Sequence, residues 1–220
     1  MKWKITWLCR HVMRRTKNAI TVQYGKKFYD DFYRGSMAEL KELLPQIPHI
    51  GKSVFDTNYY FCCCYFPWFA ALKKMELSSE DAVKAIWFLN EEYLKSWPLW
   101  IMKFQGKYYS RRHQKLGPWA NSLSERDLHP DDWRVRFEKL DNNTWTFDIY
   151  ECFVVKMAKR LGMQDMLPGV CRMDYLFSHY FDIEFRRKGT LADGFDRCDC
   201  WYRCPGKCDW PVPMDIEGVK

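Results

Sequence analysis

The chain has 220 residues, 47% hydrophobic, 18% aromatic and 29% charged, and so many large apolar side chains exclude a disordered or low-complexity chain. Glycine (11) and proline (10) are ordinary in number and there is no internal repeat or sustained heptad, so fibrous and solenoid architectures drop out too. The net charge of +7 is concentrated: eight bases (Lys2, Lys4, Arg10, Arg14, Arg15, Lys17, Lys26, Lys27) and no acid precede Asp30, and the body is close to neutral. A general nucleic-acid-binding protein spreads bases over a face of its core, so no nucleic-acid partner is expected.

The basic N-terminal segment reads as an amphipathic helix docked through Trp3, Trp7, Leu8 and Val12 with its charges in solvent; a membrane-surface or RNA contact is the other reading its charge allows. Its arginines interrupt the apolar stretch a signal peptide needs, and no small-residue cleavage site follows, so a cytoplasmic location is expected. Ser36 with Glu39 has the pattern of a capping box ahead of Leu40, Leu43 and Leu44, ended by Pro45 and Pro48. A long apolar helix follows from about Thr57 to Met75. The uncharged run within it, Thr57 to Leu72, falls short of the roughly 20 residues of a membrane span, so a buried helix is expected and no stable membrane insertion. Ser78 or Ser79 starts the next helix, in which Ala82, Ile86, Tyr93 and Trp97 recur at helical spacing. Pro98 breaks or kinks it, and a further helix runs to Leu116 before the Gly117-Pro118 punctuation.

The period then changes. Trp133, Val135 and Phe137 alternate with Arg134, Arg136 and Glu138, and after Asp141-Asn142-Asn143 the alternation resumes as Trp145, Phe147 and Ile149, which makes a hairpin. A helix from about Cys152 to Leu161 closes at Gly162, and Leu167-Pro168-Gly169 opens another to about Tyr180. Strands are expected near 181–187 and 197–203. The order ββ-α-α-ββ after a helical half predicts an α+β protein in which a mainly helical region (1–125) packs with an α+β region (126–220), as one compact domain with an antiparallel sheet.

Several of these elements carry residues suited to chemistry. Glu151 continues the apolar face of the second strand, so its carboxylate either points inward or starts the following helix. With Pro168 near a helix start, Cys171 lies in a first turn that would stabilise a thiolate, Arg172 adds positive charge, and Asp174 shares its face. The segment from Lys188 to Asp196 is too long for a tight turn and suits a binding loop. Cys198, Cys200 and Tyr202 share one face of the last strand. Together with Cys204 and Cys208, Cys198 and Cys200 could form a zinc site, although the C-x2-C knuckle is absent. Ten cysteines without an export signal are expected to be free thiols, and the adjacent Cys62, Cys63 and Cys64 point three ways on a helix and serve packing.

Pro168-x-x-Cys171-x-x-Asp174, followed by Arg187-x-x-Thr190-Leu191-Ala192-x-Gly194-x-x-x-Cys198-Asp199, resembles the signature of the L-2-amino-thiazoline-4-carboxylic acid hydrolase family. The clear resemblance covers the last third of the chain, and Cys200 replaces an aromatic of the family pattern. The resemblance implies a hydrolase acting on a non-peptide C–N bond in a cyclic amidine: water adds at the amidine carbon of 2-amino-thiazoline-4-carboxylate and N-carbamoyl-L-cysteine is released. The candidate catalytic residues are Cys171, Asp174, Cys198, Asp199 and Glu151, with Arg172, Arg187, Thr190, Asp193 and Gly194 as candidate substrate contacts. Either a cysteine attacks the amidine carbon or a carboxylate activates water. No cofactor is expected. The alternative is a cysteine-rich small-ligand or zinc-binding module built on Cys198, Cys200, Cys204 and Cys208.

Overall fold

The apolar run after Asp56 folds as a helix buried nearly all round. In the computed structural model of the protein, which describes residues 2–208, this is α4 (Asp56–Lys74), whose side chains from Cys63 to Leu72 are all buried. A helix apolar on every side belongs in the middle of a bundle. Around it pack α1 (Lys2–Arg15), α3 (Lys26–Leu43) and α5 (Ser79–Lys95), with α2 (Lys17–Tyr24) against α3. Ser78 caps α5 by accepting from the Asp81 amide at 3.0 Å. Among the described residues no helix is long and apolar enough to cross a membrane.

The chain divides into two compact units. The first holds the described residues up to His49 with Asp56–Ser96 and Met157–Val170, where α8 (Leu167–Val170) lies on α5: Gly169 faces Val83, and the Trp87 indole donates to the Gly169 carbonyl at 2.8 Å. The second holds Ile50–Phe55, Trp97–Lys156 and the described residues from Cys171 onward. Its sheet has the order β1-β2-β4-β3, antiparallel throughout: β1 (Arg134–Lys139), β2 (Thr144–Glu151), β3 (Glu184–Arg186) and β4 (Cys198–Arg203). The architecture is α+β, with a helical N-terminal half and the sheet in the C-terminal half.

Three expectations need correction. Ser36 is no cap: it lies inside α3, fully buried, and Glu39 pairs instead with Lys74. The capping pattern is outweighed by the helix that already began at Lys26. The docked stripe of α1 is Ile5, Cys9, Val12 and Met13, whereas Trp3 and Trp7 stand 67% and 57% exposed. Finally, α6 (Leu99–Arg126) runs straight through Gly117-Pro118. Tertiary bonding holds the extra turns in place: Asn121 donates to the Phe137 carbonyl at 2.9 Å and accepts from its amide, and the Ser124 hydroxyl accepts from the Val135 amide at 3.0 Å. Those side chains satisfy the outer edge of β1, which would otherwise offer unpaired backbone groups. Gly117 is needed for this approach, because a Cβ there would stand 2.2 Å from the Phe137 ring.

The hairpin turn between β1 and β2 is closed by Asp141, whose carboxylate accepts from the Asn143 and Thr144 amides at 2.6 and 2.8 Å. Inward from the sheet, Phe147, Trp145 and Tyr202 meet Phe55 and His113. His113 is 1% exposed, and burial pushes its pKa from 6.5 down to about 3, with Arg112 adding to the effect. It is therefore a neutral ring in an aromatic core.

A depressed folded-state pKa contributes stability that is present above pH 6.5 and is lost as pH falls toward 3, because the unfolded chain takes up the proton first. The expected loss is about 1.4 kcal/mol per pH unit within that window. Urea unfolding at stepped pH should show this slope in the native protein, and His113→Phe should flatten it by one proton's worth.

Candidate functional site

The residues singled out from the sequence for chemistry all belong to the second unit, and the structure brings only some of them together. At the centre is Arg187, immediately after β3, with its side chain 2% exposed. Its Nη1 donates to Asp174 Oδ2 at 2.8 Å and its Nη2 to the Cys171 carbonyl at 2.7 Å. The guanidinium lies over the rings of Phe185 (5.3 Å) and Tyr175 (5.7 Å), and the Tyr175 hydroxyl donates to the Arg187 carbonyl at 3.3 Å. Its Nε is buried with no hydrogen-bond partner.

Asp174 stands in the first turn of α9 (Met173–Tyr180) and keeps 39% of its side chain exposed, so it is the open face of this pair. Burial by its neighbours raises its pKa above the ordinary aspartate value, and Arg187 only partly offsets that. Around the pair sit the thiols of Cys171, Cys198 and Cys200. Cys198 and Cys200 point inward from β4 because they share the face of Tyr202, opposite Ile149 and Phe147 of β2. Burial pushes Cys198 up to about 12 and Cys171 well above its ordinary value. Burial opposes charge on Arg187 as well, but the Asp174 carboxylate beside it holds it protonated.

The expected thiolate at Cys171 is not what the local backbone favours. The helix from Leu167 to Tyr180 is interrupted: α8 ends at Val170, Cys171 and Arg172 form a turn, and α9 begins at Met173. Cys171 therefore follows a four-residue helix rather than occupying a first turn whose amides would lower its pKa. Arg172, beside it, is buried.

Glu151 lies apart from this centre. β2 persists to Glu151, but a bulge at Arg134/Val135 places it opposite Arg134, and its carboxylate is 2.7 Å from Arg134 and 2.6 Å from Lys156. Hydrogen bonds from Lys156 and Arg134 hold its pKa below the ordinary value. Asp199 points to the other side of β4, where its Oδ1 accepts from the amides of Lys188 and Gly189 at 2.9 and 3.0 Å and fastens the loop. Thr190 and Asp193 bond each other: the Thr190 hydroxyl accepts from the Asp193 amide at 3.1 Å and donates to its carboxylate at 2.7 Å. Gly194 closes that turn with a φ of +86°, where a side chain would be strained. The last contact of the loop is to the centre, where the Leu191 amide donates to Cys198 Sγ at 3.3 Å.

One residue of the centre was not singled out from the sequence. Cys152 stands between β2 and α7 (Phe153–Leu161); burial raises its pKa, against the Val155 and Val154 amides and the Trp133 side chain, which act to lower it. It neighbours Cys171, Cys198 and Asp174. The signal was a cysteine at the junction of a strand and a helix, which the reading of a helix from Cys152 absorbed. All ten cysteines are free thiols, and among the described residues no group of three or more His, Cys, Asp or Glu side chains is placed to hold a metal.

A partly open carboxylate held by a buried guanidinium, ringed by thiols at one end of an antiparallel sheet, defines an α+β protein with a candidate site for a small cationic or amphoteric molecule. The family model for L-2-amino-thiazoline-4-carboxylic acid hydrolase matches residues 62–202, and the chain belongs to that family. No curated protein and no solved structure matches it.

The two halves of the ion pair are unequally buried, and so their loss should be unequal. Asp174→Leu leaves a guanidinium that is 2% exposed, whereas Arg187→Met leaves a carboxylate that is 39% exposed. Breaking a buried pair costs about 3–5 kcal/mol, and Asp174→Leu should reach that range while Arg187→Met falls below it. Urea denaturation of the two variants measures the order directly.

Proposed function

We propose that the protein hydrolyses a small cyclic amidine of the 2-amino-thiazoline-4-carboxylate type to an N-carbamoyl-cysteine-like product. The observation that carries this reading is the Asp174–Arg187 pair in a chain of this family. Arg187 occupies Asp174 Oδ2, and the Asp174 side chain keeps 39% of its surface exposed, which leaves its other oxygen for a water or an amidine N–H. Burial makes this carboxylate a stronger base than a free aspartate, which suits proton abstraction from water. A cationic amidine is drawn to the same carboxylate, and the positive charge of Arg172 and Arg187 suits the substrate's carboxylate.

The oxygen of water bonds to the carbon of the cationic amidine as the C=N pair moves onto nitrogen, and one proton of that water goes to Asp174. To release an N-carbamoyl-cysteine, the ring C–S bond then breaks as the C=O forms, the departing sulfur takes the proton back from Asp174, and the hydroxyl proton passes to solvent. The ring nitrogen stays attached as the ureido nitrogen, so the C–N reading of the sequence applies to the addition and not to the bond that is cleaved. Substrate and water suffice, and no redox partner enters. Ten free thiols are what a reducing compartment maintains, which supports a cytoplasmic location.

A second reading rests on the place of Cys152 beside Cys171, Cys198 and Asp174, where the Val155 and Val154 amides and the Trp133 side chain act in favour of a thiolate. The Cys152 thiolate would attack the amidine carbon, expel the ring sulfur and leave an S-linked isothiourea, which water would then hydrolyse.

The product carries a new thiol, so turnover can be followed with a thiol reagent. If Asp174 activates water, Asp174→Asn lowers kcat by about a thousandfold or more, while Cys152→Ser, Cys171→Ser and Cys198→Ser retain most activity. Glu151→Gln, at a carboxylate committed to Arg134 and Lys156, should leave kcat within about threefold because it removes no group of the centre. The acid limb of kcat/KM should lie above 3.8, in the raised direction expected for Asp174. Loss of turnover in Cys152→Ser, together with an adduct on Cys152 of the native chain equal in mass to one intact substrate, would replace this reading with the nucleophilic one. Absence of turnover in the native protein would overturn the substrate assignment.

A further inference from the structure

Large aromatic side chains seldom stand in solvent in a row, yet on α6 Trp100 is 71% exposed, Phe104 64% and Tyr108 58%. Their spacing of four residues puts them on one stripe, and Arg111, Lys115 and Trp119 continue it. The opposite side of the helix is buried through Gly106, Ser110, His113 and Gly117. Lys103 and Lys107 flank the aromatic end, Lys103 lying 3.8 Å from Asp182, and no acid occurs on α6 before Glu125.

We propose that this face of α6 docks the protein peripherally on an anionic lipid surface. Charge complementarity selects the occupant: the stripe is wholly basic between its aromatic residues, so a second copy of this chain would bring like charge against like. Trp and Tyr combine an apolar body with a polar tip and settle at the boundary of headgroups and acyl chains, while Phe104 and Leu99, itself 60% exposed, reach the apolar side. The bases then meet the lipid phosphates. A nucleic acid would be gripped along a groove, whereas this is the convex side of a single helix. The other unit repeats the combination independently, with exposed Trp3 and Trp7 on α1 and with Arg10 and Arg14 along the same stripe. Since no described helix can span a bilayer, the attachment is to the surface.

The test is co-sedimentation of the full chain with phosphatidylcholine vesicles, with and without phosphatidylserine. Binding is expected only with the anionic lipid and should weaken as salt rises. The variant Trp100→Ala/Phe104→Ala/Tyr108→Ala and the variant Lys107→Glu/Arg111→Glu/Lys115→Glu should each lower partitioning by about tenfold. Both should keep the native circular dichroism and thermal midpoint, because the altered side chains are exposed. Absence of native binding to phosphatidylserine vesicles, or equal partitioning by native and variant chains, would overturn the proposal. So would either of two other results: loss in these variants of affinity for a single-stranded RNA that the native chain binds, or conversion of a native dimer to a monomer.

Discussion

A guanidinium with almost no access to water demands compensation from everything around it. Arg187 finds it in Asp174, in the Cys171 carbonyl and in the faces of Phe185 and Tyr175, which come from two stretches of chain, residues 171–175 and β3. Satisfying it fixes the start of α9 against the end of β3. The interrupted helix at Cys171–Arg172 follows from the same demand: a carbonyl that accepts from Arg187 is one that a continuous helix would have used internally. The thiols that complete the surroundings are small and weakly polar, so they fill space beside a charge without competing strongly for its hydrogen bonds.

The sheet supplies the rigid side of this arrangement. Register pairs Ile149 with Cys198, Phe147 with Cys200 and Trp145 with Tyr202, so the inward face of β4 is set by its pairing with β2. β1 protects the other edge of β2, and α6 in turn closes the outer edge of β1 with side-chain amide and hydroxyl groups. On the outer face, Glu184 is paired with Arg186 and Arg203, which also flank Trp201. Polar residues thus secure the solvent side, while Cys198, Cys200 and Tyr202 of β4 collect on the inner one.

Much of this was legible because period-two patterns survive translation into strands. The alternation around Trp133 to Phe137, Trp145 to Ile149 and Cys198 to Tyr202 marks strands whose inward residues are buried, Ile149 only in part, and the apolar run after Asp56 marks the central helix. Local signals misled wherever a longer-range contact outweighed them. Gly117-Pro118 looks like a helix end until Asn121 and Ser124 are seen bonding β1, and Ser36 looks like a cap until the helix is known to begin ten residues earlier. On α1 the large apolar tryptophans look like core, yet Ile5 and Cys9 fill that role and the stripe is rotated. At the site, residue type was legible and geometry was not. Nothing in the string says that Glu151 meets two bases, that Asp199 turns outward, or that Cys152 neighbours Cys171, Cys198 and Asp174.

The loop between β3 and β4 has a thermodynamic consequence. Asp199 holds the amides of Lys188 and Gly189, Thr190 and Asp193 hold each other, and Gly189 has room for no side chain beside the Phe195 ring. A segment tied at so many points has already surrendered its conformational entropy when the chain folds. The loop is therefore a surface already built: a ligand that met it would divert none of its binding energy to ordering it, and selection there would be a matter of shape, in the manner of a mould rather than a hand.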